Sequence, residues 1–333
     1  MLNIAIIGLG YWGPNLLRVF DTLDECVVRY CCDSDDGIRR NYQNAYPHIS
    51  ILDEFEAILN DPHLDAVVIA TPAPTHYFLA KRALECNKHV FVEKPLTLKL
   101  ENSIELTELA EQKKITLMVG HLMLYHPAVE WLKNTIVEGK LGKIHYLYSQ
   151  RLNLGRIRSE ENAMWSLAPH DISIALHLIG KSPESVKASG YAYLQPSIED
   201  VVFINLEFAN KIAAHIHCSW LDPNKIRKLT VVGSKSMAVF DDINKEEPIR
   251  VYDKVFNYDN TDTIQDLPPP AVRFGDIWIP QISSDEPLMR ECQHFLDSIN
   301  NSTTPKSDGQ NGVEVLRVLQ KAQYAMTQIS SQA

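Results

Sequence analysis

A glycine-rich turn at the start of the chain is the feature that most constrains the fold. The apolar run Asn3–Ile7 leads directly into Gly8-Leu9-Gly10-Tyr11-Trp12-Gly13, which has the spacing G-x-G-x-x-G between a strand pattern and a helix pattern. In such a turn the first glycine permits a tight bend, the second lets the backbone approach a pyrophosphate, and the third lets the helix pack closely on the strand. The helix start also offers unpaired N–H groups to phosphates. We therefore predict a dinucleotide site formed by Gly8, Gly10, Tyr11, Trp12 and Gly13.

Short apolar runs alternate with amphipathic helix patterns over the first 120 residues. The strand predictions are Asn3–Ile7, Cys26–Cys31, Ala66–Ile69, His89–Val92 and Ile115–Val119. The helix predictions between them are Asn15–Leu23, Gly37–Ala45, Phe55–Asn60, Tyr77–Cys86 and Glu101–Lys113, each with one apolar face. Alternation of strands and helices with short connections predicts a doubly wound parallel sheet of the α/β class.

The pattern changes after residue 121, and a chain of 333 residues is too long for one ordinary core. We predict a dinucleotide-binding domain over residues 1–121 and a substrate-binding and oligomerisation domain over residues 122–333. Helix patterns in the second domain accompany consecutive strand patterns, which predict an α+β domain with a mixed or antiparallel sheet. The helices are Pro127–Glu138, Ala163–Ile179, Glu286–Asn300 and Gly312–Ile329, and the strands are Lys143–Arg151, Val186–Tyr193, Val201–Phe208, Lys211–Trp220, Lys228–Gly233, Met237–Asp241 and Ile249–Tyr252. Asp266–Pro280 contains three consecutive prolines and is predicted to be a loop.

Asp33 indicates which dinucleotide the first domain binds. It ends the second apolar run, 20 residues after Gly13, where an acid would bind both ribose hydroxyls of NAD and repel a 2′-phosphate. An Asp that only caps the next helix is the alternative. NAD is the predicted cofactor, and NADP is the less favoured one, kept open by Arg39 and Arg40.

Polar residues follow two further strand patterns at the same sheet edge, where ligands bind in open α/β sheets. Glu93-Lys94-Pro95 follows the run that ends at Val92, and Thr71-Pro72 follows the run that ends at Ile69, with His76 on the turn into the next helix. An amine next to the positive nicotinamide ring would have a lowered pKa, so Lys94 is a candidate general acid or base for a hydroxyl proton. A salt bridge of Lys94 with Glu93 is the structural alternative.

His170 is the second catalytic candidate. The Ala163–Ile179 segment is predicted to be largely helical after an irregular start, and His170 precedes its apolar part, Ile172–Ile179, so we expect His170 to project from a helix start into the interdomain cleft; His177 is less favoured. The basic group just before it suits phosphate or carboxylate groups of a substrate, and the alternative is a solvated loop. The predicted substrate-binding residues are Lys94, Arg151, Asn153, Arg156, Arg158, Trp165, Ser166 and His170. His215 and His217 have metal-ligand spacing, but no third ligand is close, so no metal is predicted.

Composition restricts the partners. The net charge of −10, without a Lys/Arg-rich stretch, argues against nucleic acid. No apolar stretch approaches the roughly 20 residues that cross a bilayer. No signal-peptide pattern opens the chain, and the six cysteines form no Cys-x-x-Cys pair, so a cytoplasmic protein is expected. Strands Val201–Phe208 and Ile212–Trp220 are partly apolar on both faces, which predicts a homo-oligomer.

These residues together resemble the glucose–fructose oxidoreductase/inositol dehydrogenase (Gfo/Idh/MocA) family. The resemblance spans the chain through the glycine loop, Ala70-Thr71-Pro72 with His76, Glu93-Lys94-Pro95-Leu96, His126-Pro127, His170-Asp171, and Glu286-Pro287-Leu288 followed by Phe295. It implies a Rossmann domain and a second domain with a large open sheet that forms dimers or tetramers. It also implies NAD(P)-dependent oxidation or reduction of a sugar or polyol carbon, with Lys94 and His170 as catalytic residues.

One position departs from the family pattern. Many members have Asp four residues before the histidine, where this chain has Ser166. The departure makes a polyol dehydrogenase close to inositol dehydrogenase less favoured, and the Arg151–Arg158 group favours a nucleotide-linked sugar. The favoured substrate is a UDP-N-acetylhexosamine, UDP-GlcNAc, oxidised at its 3-hydroxyl in amino-sugar, lipid A or surface polysaccharide biosynthesis. The alternatives are a 3-keto-sugar reductase or polyol dehydrogenase, and, from another class, a non-catalytic NAD(H)-binding sensor.

Overall fold

The computed structural model describes residues 1–155, 157–257 and 271–330. The chain divides into two compact units. The first consists of Met1–Tyr125 with Asp285–Arg317, and the second of His126–Ser284 with Val318–Ala333. The first unit therefore includes a segment from near the C-terminus, which the order of motifs along the chain does not reveal.

The first unit contains a doubly wound parallel sheet, as predicted. Its strands and helices alternate in the order β1 (Leu2–Ile7), α1 (Gly13–Phe20), β2 (Cys26–Cys32), α2 (Asp36–Ala45), β3 (Ser50–Leu52), α3 (Phe55–Leu59), β4 (Ala66–Ile69), α4 (Ala73–Glu85), β5 (His89–Glu93), α5 (Leu100–Lys113) and β6 (Leu117–Gly120). The strand order is β3-β2-β1-β4-β5-β6, and each neighbouring pair is parallel. The order reverses between β1 and β4, which is where doubly wound sheets bind their ligands.

The second unit is built on an eight-stranded mixed sheet. Its elements are α6 (Pro127–Val137), β7 (Ile144–Leu154), α7 (Ala163–Ile179), β8 (Ser185–Tyr191), β9 (Val201–Phe208), β10 (Ile212–Ser219), β11 (Leu221–Gly233), β12 (Met237–Asp241), β13 (Ile249–Asn257) and β14 (Ala271–Trp278). The strand order is β14-β13-β12-β11-β7-β10-β9-β8, in which β7 and β10 are parallel and the other neighbours are antiparallel. The loop predicted over Asp266–Pro280 is wrong for residues 271–278, which form β14, and residues 266–270 lie outside the described residues.

Two helices close the chain, α8 (Pro287–Asn300) and α9 (Gly309–Ser330). Phe295 of α8 is fully buried in the first unit, where its ring meets Phe20 of α1 and Phe91 of β5 edge to face, at centroid distances of 6.4 Å and 5.8 Å. Such a geometry adds to the stabilisation from apolar burial. The segment 285–317 thus completes the core of the first unit.

The two faces of the second sheet differ in residue type. Leu147, Ser149 and Arg151 of β7 are buried on the face that α7 covers. Tyr146 and Tyr148 lie on the opposite face and are 43% and 37% exposed. Homo-oligomer formation through this aromatic face stays a prediction.

Candidate active site

The glycine loop has the backbone geometry that its sequence predicts. Gly8 adopts a φ of +92°, a conformation that side-chain-bearing residues rarely adopt. A Cβ at Gly13 would lie 1.8 Å from the carbonyl oxygen of Gly8, so only glycine permits α1 to start this close to the loop. Tyr11, by contrast, is 86% exposed. The loop therefore brings the start of α1 close against the end of β1.

Asp33 is held against this loop. It follows β2, and its Oδ2 accepts a hydrogen bond of 2.7 Å from the Leu9 N–H, while Oδ1 accepts one of 2.9 Å from the Asp35 N–H. Arg39 donates hydrogen bonds to the backbone carbonyl oxygens of Asp33 and Ser34, and Arg40 pairs with Asp36. The predicted helix cap belongs to Asp35, whose side chain accepts from the Ile38 N–H at the start of α2. An anchored carboxylate at the end of β2 fits the ribose of NAD, so the residues present suit this cofactor.

Glu93 and Lys94 lie at the carboxyl end of β5. The Lys94 N–H donates to the Glu93 carboxylate at 3.2 Å, and the Trp12 side chain makes a second hydrogen bond with Glu93. The Glu93 carboxyl group packs so closely on β6 that a Cβ at Gly120 would lie 3.0 Å from it. Burial raises the pKa of Glu93 to about 7, against the opposing effects of the Lys94 charge and the two hydrogen bonds. The Lys94–Pro95 peptide bond is cis.

Two buried histidines lie close enough to Lys94 to be affected by its charge. The ring of His76 lies between two backbone carbonyl oxygens: Nδ1 is 2.8 Å from Pro95 O and Nε2 is 2.8 Å from Thr71 O. His121 follows β6 directly, and its Nδ1 is 2.6 Å from Oδ1 of Asn311 on α9. Burial is the main cause that lowers the pKa of both rings, to about 4 for His121, and the Lys94 charge lowers both further. His76 therefore ties the Thr71 turn to the Lys94 turn.

Neither His121 nor Glu291 was predicted from the sequence to belong to this region. His121 comes directly after Gly120 at the carboxyl end of β6, and this position was a signal that could have found it. Glu291 on α8 is fully buried and electrostatically coupled to Glu93. No sequence pattern marks it, because it comes from the segment that returns to the first unit.

The second catalytic candidate, His170, belongs to the second unit. The prediction that it stands at a helix start is wrong, since α7 begins at Ala163 and includes Pro169, which places His170 within the helix. The N-cap of α7 is Asn162, whose side chain accepts from the Trp165 N–H at 3.1 Å. Asn is a preferred N-cap residue, so Asn162 could have indicated from the sequence that a helix begins at Ala163. A meeting of Lys94 with His170 stays a prediction.

The predicted substrate-binding residues have different surroundings. Arg151 on β7 is 8% exposed, and its guanidinium pairs with the Asp171 carboxylate on α7. Arg158 is half-exposed and pairs with Glu161, whereas Arg156 lies outside the described residues. The buried Oδ1 of Asn153 has no hydrogen-bond partner among the described residues. Trp165 donates from Nε1 to Gln323, and Ser166 is buried on α7. Substrate contact by these side chains stays a prediction.

The described part of the chain has neither a metal-ligand cluster nor a helix suited to span a membrane. No group of three or more His, Cys, Asp and Glu side chains there is arranged to hold a metal ion. His215 and His217 lie on β10, where His215 Nδ1 is 2.8 Å from Asn205 Oδ1 and His217 stacks on Phe203. Within the same ranges no helix is both long and apolar enough to cross a membrane.

A doubly wound sheet with an anchored acid after β2 and a lysine after β5 defines a dinucleotide-binding protein of the Rossmann type. Comparison with family models identifies it further. Residues 2–121 match the NAD-binding Rossmann domain of the Gfo/Idh/MocA oxidoreductases, and residues 129–239 match the C-terminal domain of the same family. The chain belongs to the Gfo/Idh/MocA family of NAD-binding oxidoreductases.

Among relatives, the chain is 27% identical to 2,7-anhydro-N-acetylneuraminate hydratase of Escherichia coli over 62% of its length, and the match spans 59% of that enzyme. It is 26% identical to the UDP-N-acetylglucosamine 3-dehydrogenase of Acidithiobacillus ferrooxidans over 79% of both chains. The solved structure of that dehydrogenase covers 98% of this chain and 97% of its own with a TM-score of 0.82 at 23% identity. A 28% identity to the NAD-dependent scyllo-inositol 2-dehydrogenase of Bacillus subtilis covers 74% of this chain and 71% of that enzyme.

Proposed function

We propose that this protein is an NAD-dependent dehydrogenase that acts on a secondary alcohol of a sugar, with Lys94 and His170 as its catalytic residues. The observation that carries the proposal is the placement of Lys94 at the carboxyl edge of an NAD-binding sheet, next to the partly buried Glu93, whose pKa is raised. The NAD site would be formed by Gly8, Gly10, Tyr11, Trp12, Gly13, Asp33, Thr71, Pro72, His76, Glu93 and Lys94. NAD, when bound, supplies the hydride acceptor.

The side chains around Lys94 determine how it can handle a proton. A general acid or base works best when its pKa lies near the working pH. The Glu93 carboxylate favours the ammonium form of Lys94, and protonation of Glu93 removes that attraction. Because the pKa of Glu93 is about 7, the charge next to Lys94 changes in the neutral range. Lys94 would take the substrate hydroxyl proton, and His170 would hold that hydroxyl.

For the substrate we propose a UDP-N-acetylhexosamine, UDP-GlcNAc, oxidised at its 3-hydroxyl. The similarity to a UDP-N-acetylglucosamine 3-dehydrogenase over 79% of the chain supports this class. Arg151, Asn153, Arg156, Arg158, Trp165 and Ser166 are the proposed binding residues beside Lys94 and His170. The buried ion pair of Arg151 with Asp171 favours Arg156 and Arg158 as the phosphate-binding members of this set.

A free-polyol dehydrogenase or a keto-sugar reductase is the second candidate. The similarity to scyllo-inositol 2-dehydrogenase favours it. Ser166, in place of the family aspartate, argues against a close relation to inositol dehydrogenase and is also the one feature in favour of a non-catalytic NAD(H)-binding sensor.

The test is the formation of NADH by purified protein with NAD and UDP-GlcNAc, UDP-GalNAc, UDP-glucose, glucose or myo-inositol, with and without 2-oxoglutarate as a hydride acceptor. We expect turnover with one UDP-sugar. Lys94→Ala should lower kcat by about 10²–10⁴-fold, the usual contribution of general acid–base catalysis, and leave NAD binding intact. Exposed Lys99→Ala is the matched control and should behave like the wild type. Turnover with myo-inositol alone would favour the second candidate, and undiminished turnover in Lys94→Ala would remove Lys94 from the mechanism.

The assembly of the protein as a homodimer or homotetramer is part of the same proposal. Its support is the aromatic open face of the second sheet, where Tyr191 meets Phe203 edge to face and Phe203 stacks on His217. Light scattering at micromolar concentration tests it, and a monomeric mass would refute it.

A further inference from the structure

Glu291 has a carboxyl group to which the proposed mechanism assigns no role. It lies on α8 with 0% exposure, and both of its carboxyl oxygens are buried without a hydrogen-bond partner among the described residues, which include all of residues 1–125 and 285–317. One helical turn to either side are Leu288 and Phe295, both buried in the apolar core. An unpaired carboxylate in such surroundings is far more costly than the neutral acid.

Glu93, at the end of β5, is a partly buried carboxyl group of the same unit, and its surroundings differ. It accepts a hydrogen bond from the Lys94 N–H, bonds to the Trp12 side chain, and faces the Lys94 charge, all of which stabilise its anion. Glu291 has none of these stabilising contacts. Burial and the negative charge of Glu93 together raise its pKa well above the ordinary value.

The other titratable groups that face Glu291 do not supply a charge. Tyr125 lies just before α6 and Cys292 lies next to Glu291 on α8. Burial raises the pKa of both groups, so both are neutral at physiological pH. Among the described residues, the charge that acts on Glu291 is that of Glu93.

We propose that Glu291 is a positioning residue that keeps its proton when Glu93 ionises. The two carboxyl groups then share one proton and one negative charge, and the charge lies on Glu93 next to Lys94. The pair keeps the negative charge on the side that faces Lys94. A second negative charge on α8 would raise the pKa of Glu93 further and weaken its hold on Lys94. The catalytic part of this inference rests on the proposed function, whereas the protonation state does not.

Linkage between protonation and folding gives the first test. A group whose pKa is raised in the folded state binds its proton there while the unfolded chain has lost it, so stability falls as pH rises from the unfolded pKa to the folded one. Glu291→Gln keeps the shape and the neutral charge and removes this proton. Above the unfolded pKa, the wild type should lose stability through Glu291 as pH rises, and Glu291→Gln should not. The folding equilibrium constant of Glu291→Gln relative to that of the wild type should therefore rise about tenfold per pH unit.

Urea unfolding at a series of pH values measures this difference. Exposed Glu108→Gln within α5 is the matched control, and its effect should change far less with pH than tenfold per unit. A pH-independent difference for Glu291→Gln would overturn the proposal, because it would mean that Glu291 is ionised in the folded protein as well.

Infrared spectroscopy gives a second measurement that does not need the variant to be stable. At about one pH unit above the Glu93 pKa of about 7, the wild type should still show the C=O stretch of one protonated carboxylic acid. Glu93→Gln should retain this band and Glu291→Gln should lose it. Absence of the band from the wild type would overturn the proposal.

The pH profile of kcat/KM tests the positioning role. The wild-type profile should show an inflection near the Glu93 pKa of about 7, which Glu291→Gln should keep at the same pH and Glu93→Gln should lose. A shift of this inflection to lower pH in Glu291→Gln would mean that a negative charge had been removed and would refute the neutral state. If the protein has no dehydrogenase activity, the proposed function fails while the unfolding and infrared results still decide the state of Glu291.

Discussion

The pair of Arg151 and Asp171 offers a sharp test of how the second unit is held together. Arg151 on β7 and Asp171 on α7 are 8% and 5% exposed. Arg151 Nε lies 2.6 Å from Asp171 Oδ2, and Nη2 lies 3.4 Å from Oδ1, which gives a two-point contact between the sheet and the helix. Removal of either partner leaves the other charge buried and unpaired.

The size of the effect follows from this burial. Loss of one partner of a buried ion pair costs about 3–5 kcal/mol, whereas replacement of both by apolar residues is often neutral or stabilising by about 1–4 kcal/mol. We therefore expect Arg151→Met and Asp171→Leu each to lower the free energy of unfolding by about 3–5 kcal/mol. The double variant should lie close to the wild type, because the apolar pair suits the face that α7 covers.

Urea unfolding of the four proteins of this double-mutant cycle measures the coupling. The exposed pair of Lys187 and Glu207, with side chains 68% and 55% exposed, is the matched control and should couple by no more than about 1 kcal/mol. Additive effects of Arg151→Met and Asp171→Leu would refute the reasoning, since they would show that neither charge depends on the other for its burial.

Three further predictions concern the first unit. Gly13→Ala should abolish NAD binding in calorimetry, because its Cβ would lie 1.8 Å from the Gly8 carbonyl oxygen; binding like that of the wild type would contradict the close packing of α1 on this loop. Asp33→Ala should weaken NAD binding by about 1.5–3 kcal/mol, because hydrogen bonds to a charged group are lost. It should also reduce discrimination against NADP in kinetic assays. An unchanged preference would show that Asp33 only accepts the hydrogen bond from the Leu9 N–H. Phe295→Ala should destabilise the protein to urea by about 3–5 kcal/mol because the ring is fully buried, and a loss under about 1 kcal/mol would mean that α8 does not complete this core.

Strands with a continuous apolar run were predicted from the sequence, whereas β3 and β14 were not. The strands that became β1, β2, β4, β5 and β6 read as continuous apolar runs because helices cover both sides of a parallel sheet. β3 is an edge strand of three residues, and its sequence, Ser50–Leu52, has no such run. β14 is the opposite case, because the prolines before it suggested a loop while its own residues form an edge strand on which Phe274 is 76% exposed.

The error at α7 concerns the place of His170 and not the bounds of the helix, which agree with the predicted Ala163–Ile179. Proline removes a backbone N–H donor and disfavours a helix interior. The structure continues the helix through Pro169 from the cap at Asn162. Packing of α7 on the second sheet overrides the preference of proline against a helix interior, and the residue type alone does not reveal this.

The sequence by itself determined the doubly wound sheet, the glycine loop and the positions of Asp33 and Lys94, because each follows from a local rule: the period of apolar residues, the freedom of glycine, or the fact that parallel strands end at one edge. Only the tertiary structure decided the charge environment of these groups. Glu93 and Glu291 are 198 positions apart by their numbers, and Arg151 and Asp171 lie on different elements. Burial and proximity set the pKa of an ionisable group, and both arise only when distant segments pack together.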